Sequence, residues 1–255
     1  MKQKHILPPD QTPINLVLVT LDTHLGGVLM RAEKSLRRHL PNLRLKAHAA
    51  ANWNASPDSL EECKADIASG DIIVVTMLFM EDHINAVLPA LTARKDHCDA
   101  MVCCMSASEV MQLTRMGRFR MDGEQTGAMG LLKRLRGKSQ NSKKGAGAQQ
   151  LSVLKKLPSI LRFIPGTAQD VRAYFLTLQY WLAGSEDNLK ELFLFLVDRY
   201  AEDERSPLKG LFKAKPPVEY PEVGVYHPSI KSRVSEVLDD LPVTKTKAGE
   251  KGIVG

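Results

Sequence analysis

Apolar positions along the chain switch repeatedly between two periods. Residues 15–21 form an apolar run of strand length, and residues 25–40 then place Leu25, Val28, Leu29, Ala32, Leu36 and Leu40 at the spacing of one helix face. The alternation recurs. Residues 43–47 read as a strand, 56–68 as a helix opened by Ser-Pro-Asp, and 71–79 as a strand rich in β-branched residues. A helix over 82–94, a short strand over 100–105 and a helix over 108–116 complete four βα units. Parallel strands joined by helices bury both sheet faces, so the expected fold is α/β: a doubly wound, mostly parallel amino-terminal sheet.

This first domain spans 1–117. Over 118–150 the composition turns to Gly, Ser, Lys and Arg, with a run of four cations among residues 133–138, which predicts a basic flexible connection. Residues 151–205 follow as a helical region, with helices over 151–163, 168–182 and 186–200 and turns at Ile164-Pro165-Gly166 and Gly184-Ser185. Pro207, Pro216, Pro217 and Pro221 make 206–222 a Pro-rich linker. A second α/β domain starts at 223–255, with a strand over 222–226, a helix over 230–238 and a further strand near 249–255, where the sequence stops mid-domain.

Composition narrows the function classes. With 44% hydrophobic residues in 255, a packed core is expected rather than disorder throughout. The formal net charge of +6 fits an acidic partner or simple solubility. No aromatic residue interrupts 132–150, so the stacking platform of a single-strand binder is missing and no nucleic-acid partner is expected. Cys63, Cys98, Cys103 and Cys104 show neither zinc spacing nor a secreted disulfide framework, which points to a reducing, cytoplasmic setting. No apolar run reaches the roughly 18 residues of a spanning helix, so no transmembrane segment is expected.

The candidate chemistry sits at strand ends. The loop after the first strand, Thr20 to Gly27, matches neither a dinucleotide fingerprint nor a phosphate loop. In a doubly wound sheet, Asp22 and His24, Glu81 to His83, and Cys104 to Ser106 all fall near carboxyl ends, where such folds bind ligands. This makes His24 and His83 candidate ligand-binding residues. His227, closing the Tyr226-His227-Pro228 segment, is a third, through metal ligation or a tetrapyrrole contact. The plainer reading has Asp22 and Asp82 capping helices, the histidines filling turns, and the cysteines packing inside a strand. No nucleophile elbow, HExxH or close carboxylate pair marks a catalytic set, so neither catalytic nor metal-binding residues are assigned.

Ordered segments carry a resemblance. Residues 151–165 (LSVLKKLPSILRFIP), 168–182 (AQDVRAYFLTLQYWL) and 184–190 (GSEDNLK) resemble the porphyrin-binding H subunits of magnesium chelatase. Residues 224–228 (GVYHP) and 251–255 (KGIVG) are similar to the start of the large domain those subunits share with cobalt chelatase. The resemblance implies an amino-terminal fragment of an ATP-driven ligase that inserts Mg2+ into protoporphyrin IX at the first committed step of (bacterio)chlorophyll biosynthesis. It also implies two AAA+ ATPase partners, the I and D subunits, and no cofactor bound to this portion itself. The fragment's own role is then structural or regulatory. Two alternatives stay open: a cobalt chelatase large subunit, and a flavodoxin-like small-ligand module using His24, His83 and Cys104.

Overall fold

The computed structural model describes residues 6–122, 158–159, 161–218, 224–227, 229–230, 234–237 and 239. Those residues fall into two compact units, Met1–Pro217 and Val218–Gly255.

In the first unit, β1 (Ile14–Thr20), β2 (Leu43–Ala49), β3 (Ile72–Thr76) and β4 (Ala100–Cys104) lie parallel in the order β2-β1-β3-β4. The burial pattern explains that order. β3 and β4 are buried at every position and β1 at all but Asn15, as central strands covered on both faces must be. β2 instead carries Arg44, Lys46 and His48 among its apolar positions and takes the edge.

Helices α1 (Gly26–Leu36), α2 (Pro57–Ser69) and α3 (Glu81–Arg94) are the crossovers. The helices α2 and α3 cover one face, where Cys63, Ile67, Ile84, Val87 and Leu91 pack with Val17, Val19, Ile73, Val75 and Met101. The opposite face holds Leu16, Leu18, Ile72, Val74 and Val102 against Leu29, Ala32 and Leu36 of α1. That leaves part of the face open, and two further helices close it. They are α5 (Thr167–Ala183) and α6 (Glu186–Tyr200), whose Tyr174, Phe175, Trp181, Leu192, Phe193 and Leu196 join the same core. The expected α/β, doubly wound sheet is therefore present, and the helical residues downstream of it form its missing layer. Sequence separates a domain ending at 117 from helices beginning at 151; the described residues of both share one core.

A difference appears after β4. Sequence periodicity predicts a helix over 108–116, but α4 (Ser108–Met111) lasts one turn, and β5 (Arg115–Met116) pairs antiparallel with β6 (Phe119–Arg120) to extend the sheet beyond residue 117. Thr114 forces the exit: its hydroxyl donates to Cys103 O at 3.0 Å and accepts from Cys103 N at 3.1 Å. Gly117, at φ +55, then makes a hairpin turn that an L side chain resists, and Met116 and Phe119 bury against the core.

After α6 the chain runs along the outside of that helix as a strap. Carboxylates hold its backbone: Asp99 accepts from Glu202 N, Asp198 from Phe212 N, and Glu191 from Lys215 N. The two on α6, Glu191 and Asp198, are seven residues apart and so share a helix face.

In the second unit, β7 (Val225–Tyr226) pairs antiparallel with β8 (Val234–Ser235). This corrects the helix expected over 230–238. The chain reverses sooner, because His227 Nδ1 accepts from Ser229 N and His227 O accepts from Ile230 N. The basic segment over 123–150, most of the helix over 151–163 and the strand near 249–255 lie outside the described residues.

Candidate functional site

The carboxyl edge of the sheet is where a doubly wound fold places ligands, at the point between β1 and β3 where the strand order reverses. Its loops are tightly specified. Thr20 Oγ1 accepts from Asp22 N at 3.2 Å, and Asp22 Oδ1 accepts from His24 N at 2.7 Å, which folds residues 20–24 into a turn and leaves the His24 ring exposed. Asp22 thus caps this turn rather than α1, which begins at Gly26 after Leu25.

Strands β3 and β4 end alike. Each runs into a left-handed methionine, Met77 at φ 61 and Met105 at φ 48, a conformation costing roughly 1–3 kcal/mol in a side-chain-bearing residue. Hydrogen bonds between the two loops hold that strain. Met77 N donates to Met105 O at 2.9 Å and Ala107 N to Leu78 O at 2.8 Å, while Ser106 Oγ accepts from Leu78 N at 3.2 Å. The loop beyond Met77 turns Phe79 and Met80 outward.

His83, in the first turn of α3, is buried edge-on against Trp53 with ring centroids 5.7 Å apart, and its Nδ1 has no hydrogen-bond partner. Asp82 lies inside the same turn, exposed, while Met80 holds the cap position. His24 and His83 therefore occupy unlike surroundings, one in water and one in the core. His227 belongs to the second unit, half-buried in its turn. Among the described residues no three His, Cys, Asp or Glu side chains are grouped to hold a metal ion.

The cysteines are buried, and the low-dielectric surroundings favour their neutral thiols. Burial pushes Cys104 up to about 11, Cys98 to about 11 and Cys63 to about 12, and Cys103 well above its ordinary value. A thiol in that state is a packing group and a poor nucleophile. Thr76 Oγ1, also buried, has no hydrogen-bond partner among the described residues, and Thr76 lies in register with Cys104.

Two charged nodes that the sequence pattern does not announce lie elsewhere in the first unit. Asp71 and Asp99 immediately precede β3 and β4, so the parallel ladder brings them side by side. Arg205 bridges them, bidentate on Asp99 at 2.7 and 2.8 Å and 3.2 Å from Asp71. Burial raises the Asp71 carboxyl, opposed by the hydrogen bond from Asn15 N and the charge of Arg205. The second node is Asp170, in the first turn of α5, which accepts from Arg118 N, Arg199 Nη2 and Tyr200 OH at 3.0, 3.2 and 3.1 Å. A lone acid directly before an apolar strand was the available signal for the first. Nothing in the spacing pairs any of these three acids with an arginine about 30 to 130 residues away, because tertiary structure alone brings them together.

Comparison with known proteins supplies what the geometry leaves open. The family described as "Domain of unknown function (DUF3479)" matches residues 15–175, and "CobN/Magnesium Chelatase" matches 178–255. The magnesium-chelatase H subunit of Rhodobacter capsulatus is 40% identical over 249 residues, covering 97% of this chain and 21% of that protein. The protein of the same name from Cereibacter sphaeroides is 42% identical, over 97% of this chain and 20% of its own length. The chain belongs to the magnesium-chelatase H-subunit family. A more distant member, the chloroplastic magnesium-chelatase ChlH protein of Oryza sativa, is 29% identical over 69% of the chain. The chain spans about a fifth of the length of the two bacterial H subunits. The two family matches meet at residues 175–178, inside α5, so the CobN/Magnesium Chelatase match supplies α6 and the strap to the core of the DUF3479 sheet.

Proposed function

We propose that this chain is the part of a porphyrin-handling chelatase H subunit that builds its α/β head, and that it performs no metal insertion by itself. In this reading the whole enzyme inserts Mg2+ into protoporphyrin IX, and AAA+ I and D subunits hydrolyse ATP to drive it, in the cytoplasm, as a nitrogen–metal ligase of (bacterio)chlorophyll biosynthesis. The observation that carries the reading is identity of 40–42% to two bacterial H subunits over 97% of the chain.

The chemistry favours a site elsewhere in the longer subunit. Mg2+ gives up its waters reluctantly, so insertion calls for several oxygen or imidazole donors around the macrocycle while two pyrrole protons leave. His24 and His83, one exposed and one buried, do not make such a set, and we assign the head a structural or regulatory role.

The test is spectroscopic. The chain alone, mixed with protoporphyrin IX, Mg2+ and ATP, is expected to leave the porphyrin absorption bands in place and produce no magnesium-porphyrin fluorescence. A stoichiometric band shift, or insertion without partners, would overturn the assignment.

A further inference from the structure

The tip of the β5–β6 hairpin, the start of α5 and the end of α6 frame an open groove, and the hairpin pairs with the amino end of β4, away from the carboxyl-edge loops. It has two lobes of about 430 and 440 Å³ that share Gly117, Asp170, Arg199 and Glu202. Asp170 lies between them with its charge already engaged by Arg199, Tyr200 and the Arg118 amide.

The cations of the first lobe are less well matched. Arg115 gives its guanidinium to two main-chain carbonyls, those of Lys95 and Cys98, which hold it in place without neutralising it. Arg118 is exposed, and its guanidinium has no partner among the described residues. The first lobe thus sets three arginines, Arg115, Arg118 and Arg199, against two carboxylates, Asp170 and Glu202, and stays net positive.

Beside this lobe the turn leading to Gly166 presents an apolar tip. Phe163 is 83% exposed and Ile164 38%. Gln169 Nε2 is aimed at the carbonyls of Leu161, Arg162 and Ile164 at 2.8, 3.2 and 2.5 Å, which ties the turn to α5. Aromatic and arginine side chains are the types enriched in protein interfaces. Sites for small molecules, by contrast, are enclosed, and this groove is open.

We propose that the groove binds an extended, acidic segment of a protein partner, with a carboxylate on Arg115 and Arg118 and a neighbouring apolar side chain against Phe163. The proposal rests on this surface alone and stands apart from the chelatase reading. Contacts of this rim-exposed kind give salt-sensitive binding whose charge pattern sets specificity.

The experiment titrates the full chain with a fluorescein-labelled peptide, Gly-Glu-Asp-Leu-Glu-Asp-Gly, followed by anisotropy at low salt. The controls are the same peptide with lysine at every acidic position, and inorganic phosphate as competitor. Saturable binding of the acidic peptide is expected, weakened about tenfold by Arg118→Glu and severalfold by Phe163→Ser, and resistant to millimolar phosphate. Both side chains are exposed, so circular dichroism should show either variant folded. Three results would each overturn the proposal: no saturable binding, binding indifferent to both substitutions, or displacement by phosphate, which would make the groove a small-anion site.

Discussion

Arg205 is the residue that joins the buried carboxylates of Asp71 and Asp99. Asp71 and Asp99 are 6% and 3% exposed, so deleting the arginine takes the ion pair from Asp99 and leaves Asp71 with Arg94 at 3.9 Å, and breaking a buried pair typically costs about 3–5 kcal/mol. Arg205→Ala is expected to lower the urea midpoint accordingly. The loss should depend on pH in a defined direction. Burial raises the Asp71 carboxyl in the folded state, so the folded chain holds that proton more tightly than the unfolded chain. The resulting stability is fully present below the unfolded value and is lost as pH rises through the folded one. Removing Arg205 takes away an opposing charge and raises the carboxyl further. The deficit of the variant against the parent should therefore be larger at about pH 7.5 than at about pH 5. Equal deficits at both would show that Asp71 does not feel the arginine.

Gly117 offers a second test at this scale. A Cβ there would lie 2.9 Å from Asp170 Oδ2 on a backbone at φ +55, whereas Gly166, at φ +78, has open space around it. Gly117→Ala carries a positive-φ penalty and also displaces the carboxylate that anchors Arg118 N, Arg199 and Tyr200, whereas Gly166, at ψ −142, sits in a backbone region that glycine alone adopts readily and meets no neighbour. Chemical unfolding should place Gly117→Ala below the parent, and an unchanged midpoint would show that Asp170 gives way without cost.

At the scale of elements, the parallel strands and crossover helices were legible because each is amphipathic in its own way. Every-position burial in β3 and β4 follows from their unbroken apolar runs, and α1 declares its face at three-and-four spacing. The hairpin over 115–120 was not legible. Arg115, Met116, Phe119 and Arg120 are too short a run to show period two, and the bond from Thr114 to Cys103 that ends α4 is tertiary. The candidate site fared unevenly for the same reason. The strand-end positions of His24 and His83 followed from topology, but whether an imidazole faces water or Trp53 depends on packing that one sequence does not display. The docking of α5 and α6 was hidden too, since an apolar helix does not say which sheet it covers.

That docking leads to a truncation test. A fragment ending at residue 175, where the DUF3479 match stops, loses Leu189, Leu192, Phe193 and Leu196 together with Arg205. Each large side chain buried in the core is worth roughly 1.5–3 kcal/mol, so their combined loss rivals the roughly 5–15 kcal/mol stability of a typical domain. Residues 1–217 should unfold in one cooperative transition with a near-UV circular dichroism signal, and residues 1–175 should show neither. A cooperative 1–175 fragment would mean that α6 is dispensable.

For the whole molecule, the boundary between the two family matches is not a boundary in the fold. The compact unit runs to Pro217, so about forty residues matched by CobN/Magnesium Chelatase complete the sheet that the upstream match begins. The most direct measurement is magnesium-porphyrin formation by a chimera in which the corresponding segment of the Cereibacter sphaeroides H subunit is replaced by this chain. With the ATPase subunits, ATP, Mg2+ and protoporphyrin IX supplied, a rate of the same order as the unaltered protein is expected. A chimera that folds and binds porphyrin yet forms no magnesium-porphyrin would contradict the proposed function.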